Sequence, residues 1–362
     1  MRNSVTDRVG GGIRKCDEMK FLDLFSGIGG FRLGLERSGH TPGGYVEIDK
    51  FARQSYQAMY DTTGEWTAED INKVTDEEWR KFNGTVELIA GGFPCQSFSI
   101  AGKREGFLNQ TKGTLFFEVA RAVKQIKPRF VFLENVKGLL NHDKGNTFRT
   151  ILNTFDELGY DVEWRVLNSK DFGVPQNRER VYIIGHLRGD SGREVFPFFR
   201  ENGKVNKTAI KEVAKINNKR HSSTGNSVLD VSGISPTLDT MQGGGREPKV
   251  MVKEATKKGY DTATVGDSIN ISQPNSKTRR GRVGHGIANT LVTGSEQATL
   301  TSEYRIRKLT PRECWRLQAF PDELFDKAQQ AGLSDSQLYK QAGNSVTVNV
   351  IEYIGNLLKE RE

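Results

Sequence analysis

VELIAGGFPCQSFS, residues 86–99, decides the fold when it is set beside FVFLENV, residues 130–136. Each stretch is a strand-sized apolar run that ends on a reactive side chain, Cys95 just after Pro94 in the first and Glu134 in the second. Buried parallel strands read as near-continuous apolar runs, and an open α/β sheet keeps its site at their C-terminal rim. Outward from this pair the chain alternates strand and helix. MKFLDLFSGIGGFRLGLERSG at 19–39 reads as a strand, a Gly-rich turn and a helix, and YVEIDKFARQSYQAMY at 45–60 repeats that order. Further units are a strand at 86–90, a loop at 93–111, a helix at 114–126, a strand at 130–134, a helix at 146–158, and strands at 161–167 and 181–187. βαβ spacing of this kind predicts a mostly parallel, doubly wound sheet with helices on both faces.

The rhythm stops near Arg188. Residues 200–303 are rich in Gly, Ser, Thr, Asn and Lys and predict short strands with long loops. ISPTLDTM at 234–241 is echoed by IANTLVTG at 287–294, either two equivalent ligand-facing turns or chance composition. Helix signals return at 309–321, where Thr310 is placed to cap, Pro311 to open the first turn and Glu313 to complete a capping box. GNSVTVNVIEYIGNLLK at 343–359 predicts a terminal helix that returns to the first domain, with an apolar face at Val346, Val350, Ile354 and Leu357 or Leu358. The expected division is a flexible tail at 1–19, a first domain from 20–187 and 337–362, and a second, smaller, mainly-β domain at 188–336.

At 362 residues the chain is long enough for one or two domains with full cores. A mean hydropathy of −0.57 fits a soluble globular protein. No apolar run is long enough to cross a membrane, and the first twenty residues carry no secretory signal. Cys16, Cys95 and Cys314 have no CxxC spacing, which argues against a metal site or a disulfide scaffold and fits a reducing cytoplasm. The net charge of +8 is uneven: residues 188–336 hold 24 Lys and Arg against 17 Asp and Glu, and the remainder holds 29 against 28. That segment is therefore suited to face a polyanion, although a solvated basic loop region would carry the same charge.

DLFSGIGG at 23–30 lets a ligand approach the backbone and offers it a helix N-terminus. Alone it could be only a tight strand-to-helix connection. Glu47 follows at a second strand end, where a carboxylate can accept both ribose hydroxyls, and Asp70 could accept the exocyclic amine of an adenine. Together they describe a nucleoside site without a pyrophosphate clamp, and S-adenosylmethionine is such a ligand. Cys95 could be a small buried hydrophobe, but it stands beside the polar stretch SFSIAGKREGFLNQ. Glu134 could be a solvated carboxylate or a cap; burial would raise its pKa and let it work as an acid. Arg178 and Arg180, at alternate positions entering a strand, point the same way, towards solvent or into a polar pocket. A thiolate, an acid and a methyl donor in a basic cleft match one chemistry. Thiolate addition at cytosine C6, with N3 protonated, makes C5 nucleophilic enough to take a methyl group. The base must first leave the helix stack.

The ordered series DLFSGIGG, VEID, EDI, GFPCQSFS, GTLFFEVAR, FLENV, QNRERVY, RKLTPREC and QAGNSV resembles the bacterial and phage DNA (cytosine-5) methyltransferases over nearly the whole chain. The resemblance implies the S-adenosylmethionine-dependent methyltransferase fold, with a target-recognition domain between QNRER and RKLTPREC. It places Asp23, Phe25, Gly27 and Gly29 in the methyl-donor pocket, Glu47 on the ribose, Ile48 against the adenine, and Asp70 and Ile71 around it, with Asn344 also on the cofactor side. Cys95 would be the nucleophile and Glu134 would contact N3 and N4. Arg180 would hold the O2 side with Arg178 in support, while residues 96–109 would close over the flipped base. Gln341 and Asn344 would join the two domains. Double-stranded DNA is the implied partner of a monomeric, cytoplasmic, metal-free enzyme, with room for a cognate restriction endonuclease acting separately. Ile48 stands where some relatives carry an aromatic residue, and the stretches 234–245 and 287–297 are the expected base readers. The competing readings are an RNA cytosine-5 methyltransferase, whose relatives usually have a second cysteine soon after the nucleophile where this chain has Gln96-Ser97-Phe98, and an inactive DNA-binding relative, which loss of Cys95, Glu134 or the Gly-rich turn would mark, all three being present.

Overall fold

The structure, a computed structural model, describes residues 18–94, 115–189, 195–196, 228–229, 249–274, 276–294, 296–302 and 306–359. In chain order the first elements are β1 (Lys20–Leu24), α1 (Gly30–Arg37), β2 (Thr41–Val46), α2 (Lys50–Met59), β3 (Trp66–Ala68) and α3 (Asp76–Arg80). They are followed by β4 (Leu88–Gly92), α4 (Leu115–Ile126), β5 (Phe130–Val136), α5 (Asn146–Glu157), β6 (Tyr160–Asn168), β7 (Gln176–Asn177) and β8 (Glu179–Leu187). Seven of the strands form one sheet in the order β3-β2-β1-β4-β5-β8-β6. The first five run parallel, and β8 runs antiparallel to both neighbours. From β1 the chain winds outward through β2 and β3, then returns to β4 on the other side. The switch point therefore lies between the C-terminal ends of β1 and β4, where open α/β sheets bind ligands.

Alternation along β1 shows why both faces need helices. Leu22 and Leu24 enter a core shared with Phe116 and Val123 of α4, Ile151 and Phe155 of α5, and Trp79 of α3. Phe21 enters the opposite core with Phe31 and Leu35 of α1. The same second core takes Val350, Ile351 and Ile354 of the terminal helix α9 (Val348–Lys359). Each fully buried large apolar side chain contributes about 1.5–3 kcal/mol, so the terminal helix closes the fold rather than decorating it.

The second region is built from short strands. β9 (Val228–Leu229), β10 (Lys249–Lys253) and β11 (Tyr260–Ala263) make one small sheet. β12 (Ser268–Asn270), β13 (Val283–Gly284), β15 (Gln297–Leu300) and β16 (Ile306–Lys308) make another, while β14 (Ala288–Asn289) pairs with β7 of the first region. A compact core of Val250, Val252, Ala263, Ile269, Val283, Ala298 and Leu300 lies between them. Buried Arg282 staples it by donating to the carbonyls of Lys253 and Asn270.

Packing bears on three of the expected boundaries. Met19 is wholly buried and its carbonyl accepts from Thr41 N, so it belongs to the sheet and not to a tail ending at 19. Val195 and Phe196 pack in the α1/α9 core, beyond the expected edge at 187. Helices α6 (Pro311–Arg316) and α7 (Asp322–Gln330) share one core with Ile28 and Met59 of the first region and with Ala288 and Leu291 of the second. Thr310 and Glu313 do form the capping box on α6, with Pro311 in its first turn. The single helix expected at 343–359 is two: α8 (Asp335–Asn344) ends, the chain breaks at 345–347, and α9 begins. Val346 is buried in that break rather than on a helix face. The helix expected at 114–126 is α4, and the strands expected at 161–167 and 181–187 are β6 and β8, each within two residues at either end.

Candidate active site

β1 delivers the chain into a turn with left-handed backbone at Phe25 (φ 59°), Gly27 (φ 54°) and Gly29 (φ 77°). A left-handed phenylalanine costs on the order of 1–3 kcal/mol, and such strain gathers at ligand sites. A side chain on Gly27 would meet no atom within 4 Å, so the space above this turn is open for a ligand. The Glu47 carboxyl, at the end of β2, closes the turn from the side. Its Oε2 accepts from Gly27 N at 2.7 Å and its Oε1 from Asp49 N at 2.7 Å. Each oxygen keeps a lone pair for a hydroxyl. Burial raises the Glu47 pKa, and the two backbone donors oppose the rise.

Ile48 stands 70% exposed at the mouth, its carbonyl held by Arg53 Nη1 at 2.9 Å. Arg53 also reaches Glu69, so its charge is spent on the protein and not on a phosphate clamp. Asp70 Oδ1 accepts from Asn72 N at 3.0 Å and Asn72 Nδ2 at 2.8 Å, and Ile71 beside it is buried. Open space at Gly27, a twice-anchored carboxylate and an exposed apolar residue at the rim fit an uncharged nucleoside with a cationic tail.

Asp23 is placed differently from its neighbours. It is fully buried beneath the turn, and neither carboxyl oxygen has a hydrogen-bond partner among the described residues. Burial pushes its pKa up to about 8, while the nearby Arg32 backbone N–H and guanidinium pull the other way. Asn344 is exposed at the end of α8, and α8 is clamped to α2 by Gln341 (to Phe51 O and Ser55 Oγ, both 3.0 Å) and by Lys340 (to Asp49, 2.6 Å).

Across the switch point, β4 pairs with β5 so that Gly92 lies opposite Glu134. A Cβ on Gly92 would stand 3.2 Å from Glu134 Oε2, so the strand leading to Cys95 runs directly beside this carboxyl. Cys95 and the loop 96–109 lie outside the described residues, as does the ISPTLDTM stretch. Glu134 is buried and paired with Arg180, Nε to Oε1 3.0 Å. Burial raises its pKa, and Arg180 and then Arg178 oppose the rise. Arg178 does point to the same side but not to Glu134 directly. Its terminal nitrogens donate to the carbonyls of Leu291 (3.4 Å), Gly343 (3.2 Å) and Ser345 (2.6 Å). Burial and the Arg180 cation lower its pKa to about 10.

Two side chains that sequence reasoning passed over complete the site. Asn135 donates from Nδ2 to Phe93 O at 2.8 Å, tying the end of β5 to the segment that enters Pro94 and Cys95. Gln176 is wholly buried, donating to Leu317 O at 2.8 Å and accepting from Leu291 N at 3.2 Å. A polar residue next to the chemistry in ENV and in QNRER was the available signal for both. Among the described residues no group of three or more His, Cys, Asp or Glu is placed to hold a metal ion.

A doubly wound sheet with a left-handed glycine turn on one side of its switch point and a buried carboxyl–guanidinium pair on the other has the S-adenosylmethionine-dependent methyltransferase fold. The model of the C-5 cytosine-specific DNA methylase family matches residues 19–360, and the chain belongs to that family. It is 33% identical to the orphan methyltransferase M.SPRI of Bacillus phage SPR, with 93% of this chain and 96% of that protein covered. It is 37% identical to the type II methyltransferase M.SsoII of Shigella sonnei, over 92% of this chain and 78% of that one. Among solved structures, the DNMT2 proteins of Spodoptera frugiperda and S. pombe share the fold, each with a TM-score of 0.55. Their identities are 19% and 18%, covering 95% and 94% of this chain and 100% and 98% of theirs. The protein is a DNA (cytosine-5) methyltransferase, acting on DNA. Among the described residues no helix is long and apolar enough to cross a membrane.

Proposed function

We propose that the chain methylates C5 of a cytosine flipped out of a specific double-stranded DNA sequence, with Cys95 as nucleophile and Glu134 as the acid at N3. Bound S-adenosylmethionine supplies the electrophilic methyl group. Glu47 accepts the ribose hydroxyls, Ile48 and Ile71 flank the adenine, Asp70 accepts its amine through Oδ2, and the Phe25–Gly27–Gly29 turn leaves room for the amino-acid tail. Cys95 adds to C6 as Glu134 shares its proton with N3, so electron density moves to C5. After C5 takes the methyl group, loss of the C5 proton expels the thiolate. Arg180 holds the O2 side and keeps Glu134 in place.

The observation that carries this reading is the buried Glu134–Arg180 pair standing opposite Gly92, three residues before Cys95. A carboxyl raised by burial can hold a proton, and a guanidinium beside it orients that proton towards the base. Residues 197–308 form the recognition region in this reading, with the remainder as the catalytic body. The enzyme works as a cytoplasmic monomer, with any restriction endonuclease as a separate protein. Bisulfite sequencing of plasmid DNA from expressing cells tests it: protected cytosines should recur in one sequence context and vanish with Cys95→Ser. A folded, donor-binding protein that protects no cytosine would overturn it.

A further inference from the structure

The expected base reader at 287–297 is, for half its length, bound to the catalytic body. β14 runs parallel to β7, with Ala288 opposite Gln176 and Asn289 opposite Asn177. Ala288 N donates to Pro175 O at 2.7 Å and Thr290 Oγ1 to Asn177 O at 2.7 Å. Leu291 is then gripped twice, its N–H by Gln176 and its carbonyl by Arg178. The next peptide lies against Gly343: a Cβ there would stand 2.4 Å from Val292 O and 2.7 Å from Thr293 N. Gly343 has no left-handed backbone, so it is space and not conformation that excludes a side chain.

The loop after Gly343 reaches the donor side as well. A Cβ on Gly30, the first residue of α1, would stand 2.9 Å from Ser345 Oγ and 2.7 Å from Val346 Cγ2. Arg178 thus sits where the recognition strand, the break between α8 and α9, and the target-base pair meet. Its charge bears on Glu134, and its own pKa responds to Arg180 and Glu134. Of its three carbonyl contacts the one to Leu291, at 3.4 Å, is the longest, so a small withdrawal of 291–293 breaks that bond first. A buried guanidinium that loses an acceptor is driven to find another, and Glu134 is the nearby anion.

We propose that Arg178 and Gly343 form a latch through which the seating of residues 288–293 sets the Glu134–Arg180 pair, so that a duplex that displaces this strand is bound but not methylated. Arg178 is then a positioning residue that acts through Glu134 and Arg180, and 288–293 couples recognition to chemistry instead of reading bases. The inference rests on the reading of 197–308 as the DNA-recognition region.

The test uses full-length Arg178→Lys, Arg178→Met and Gly343→Ala, with duplexes carrying the mapped target or a single-position variant of it. Binding, single-turnover methylation, donor affinity and thermal stability are measured for each. Gly343→Ala and Arg178→Met should bind target DNA within about threefold of wild type, yet methylate it at least tenfold more slowly. Their rate ratio between the target and its variant should fall at least fivefold. Arg178→Lys, which keeps one charged donor, should recover part of both losses. Donor affinity should not change in the two Arg178 variants. A loss confined to DNA affinity, or a loss of stability with the rate ratio intact in the folded variants, would overturn the latch. Wild-type protein that shows no sequence preference at all would instead overturn the recognition reading beneath it.

Discussion

Arg180 Nε lies 3.0 Å from Glu134 Oε1 in a pocket where both side chains are almost fully covered. A carboxyl in that position is caught between burial, which raises its pKa, and two cations, which lower it. Burial is the largest influence, so a proton is held to higher pH than on a free glutamate. Glu134→Gln keeps the shape and the Arg180 contact but cannot give a proton. It should bind DNA and donor nearly as wild type does while its single-turnover rate falls roughly 10²–10⁴-fold. The wild-type rate should also decline as pH rises through the Glu134 pKa, and the variant's residual rate should lack that limb. Stopped reactions over a pH series that rises from the ordinary glutamate range check both, and a variant rate within threefold of wild type would remove Glu134 from the chemistry.

Glu47→Ala should weaken donor binding, because two ribose hydroxyls lose a charged acceptor. Hydrogen bonds to charged groups contribute about 1.5–3 kcal/mol, which is roughly ten- to a hundredfold in Kd. The change also releases Gly27 N and Asp49 N, so the turn itself should loosen. Calorimetry with S-adenosylmethionine reads the effect. Unchanged affinity would place the ribose elsewhere.

Asp23 gives the protein a stability that depends on pH. Its folded pKa, about 8, lies above the ordinary value of 3.8, so the folded state binds the extra proton between those limits. Stability is therefore greatest at the acid end of this window for this group and falls as pH rises, by up to about 1.4 kcal/mol per pH unit. Asp23→Asn removes the titrating group. Urea unfolding at pH 5 and pH 8.5 should show a smaller drop in the variant than in the wild type. Equal drops in the two proteins would mean that the Asp23 carboxyl is already ionised in the fold.

Why some of this was legible in the chain and some was not follows from distance along it. Glu134, Glu47 and the glycine turn sit at strand ends, where an apolar run stops at a polar residue, so local pattern locates them. The parallel sheet followed from the same runs. The partners of Arg178 were not legible, because Leu291, Gly343 and Ser345 lie more than a hundred residues away and offer only backbone carbonyls. No side-chain pattern encodes such acceptors. Asp23 was placed by its motif, but its burial beneath the turn with both carboxyl oxygens unpartnered among the described residues is set by the tertiary fold and not by local pattern. The break at 345–347 was hidden by a helical apolar period that runs straight through it.

Exchange of residues 197–308 for the matching region of a methyltransferase with another target should transfer the target sequence. The cut avoids Val195, Phe196 and the helices from Pro311 onward, which share cores with the catalytic body. Residues 288–293 of this chain should be kept, since they dock on β7. Genome-wide methylation mapping in expressing cells decides the outcome. A folded, active chimera that still marks the original sequence would put recognition in the catalytic body.

The central claim is that Cys95 attacks cytosine C6 with the base outside the helix. A target duplex with 5-fluorocytosine lacks the C5 proton whose loss frees the enzyme, so incubation with S-adenosylmethionine should leave protein and labelled DNA covalently joined on a denaturing gel. Wild type should give the slow-moving adduct, and Cys95→Ser, with DNA binding retained, should give none. An adduct of equal yield from Cys95→Ser, or none from active wild-type enzyme, would contradict the account.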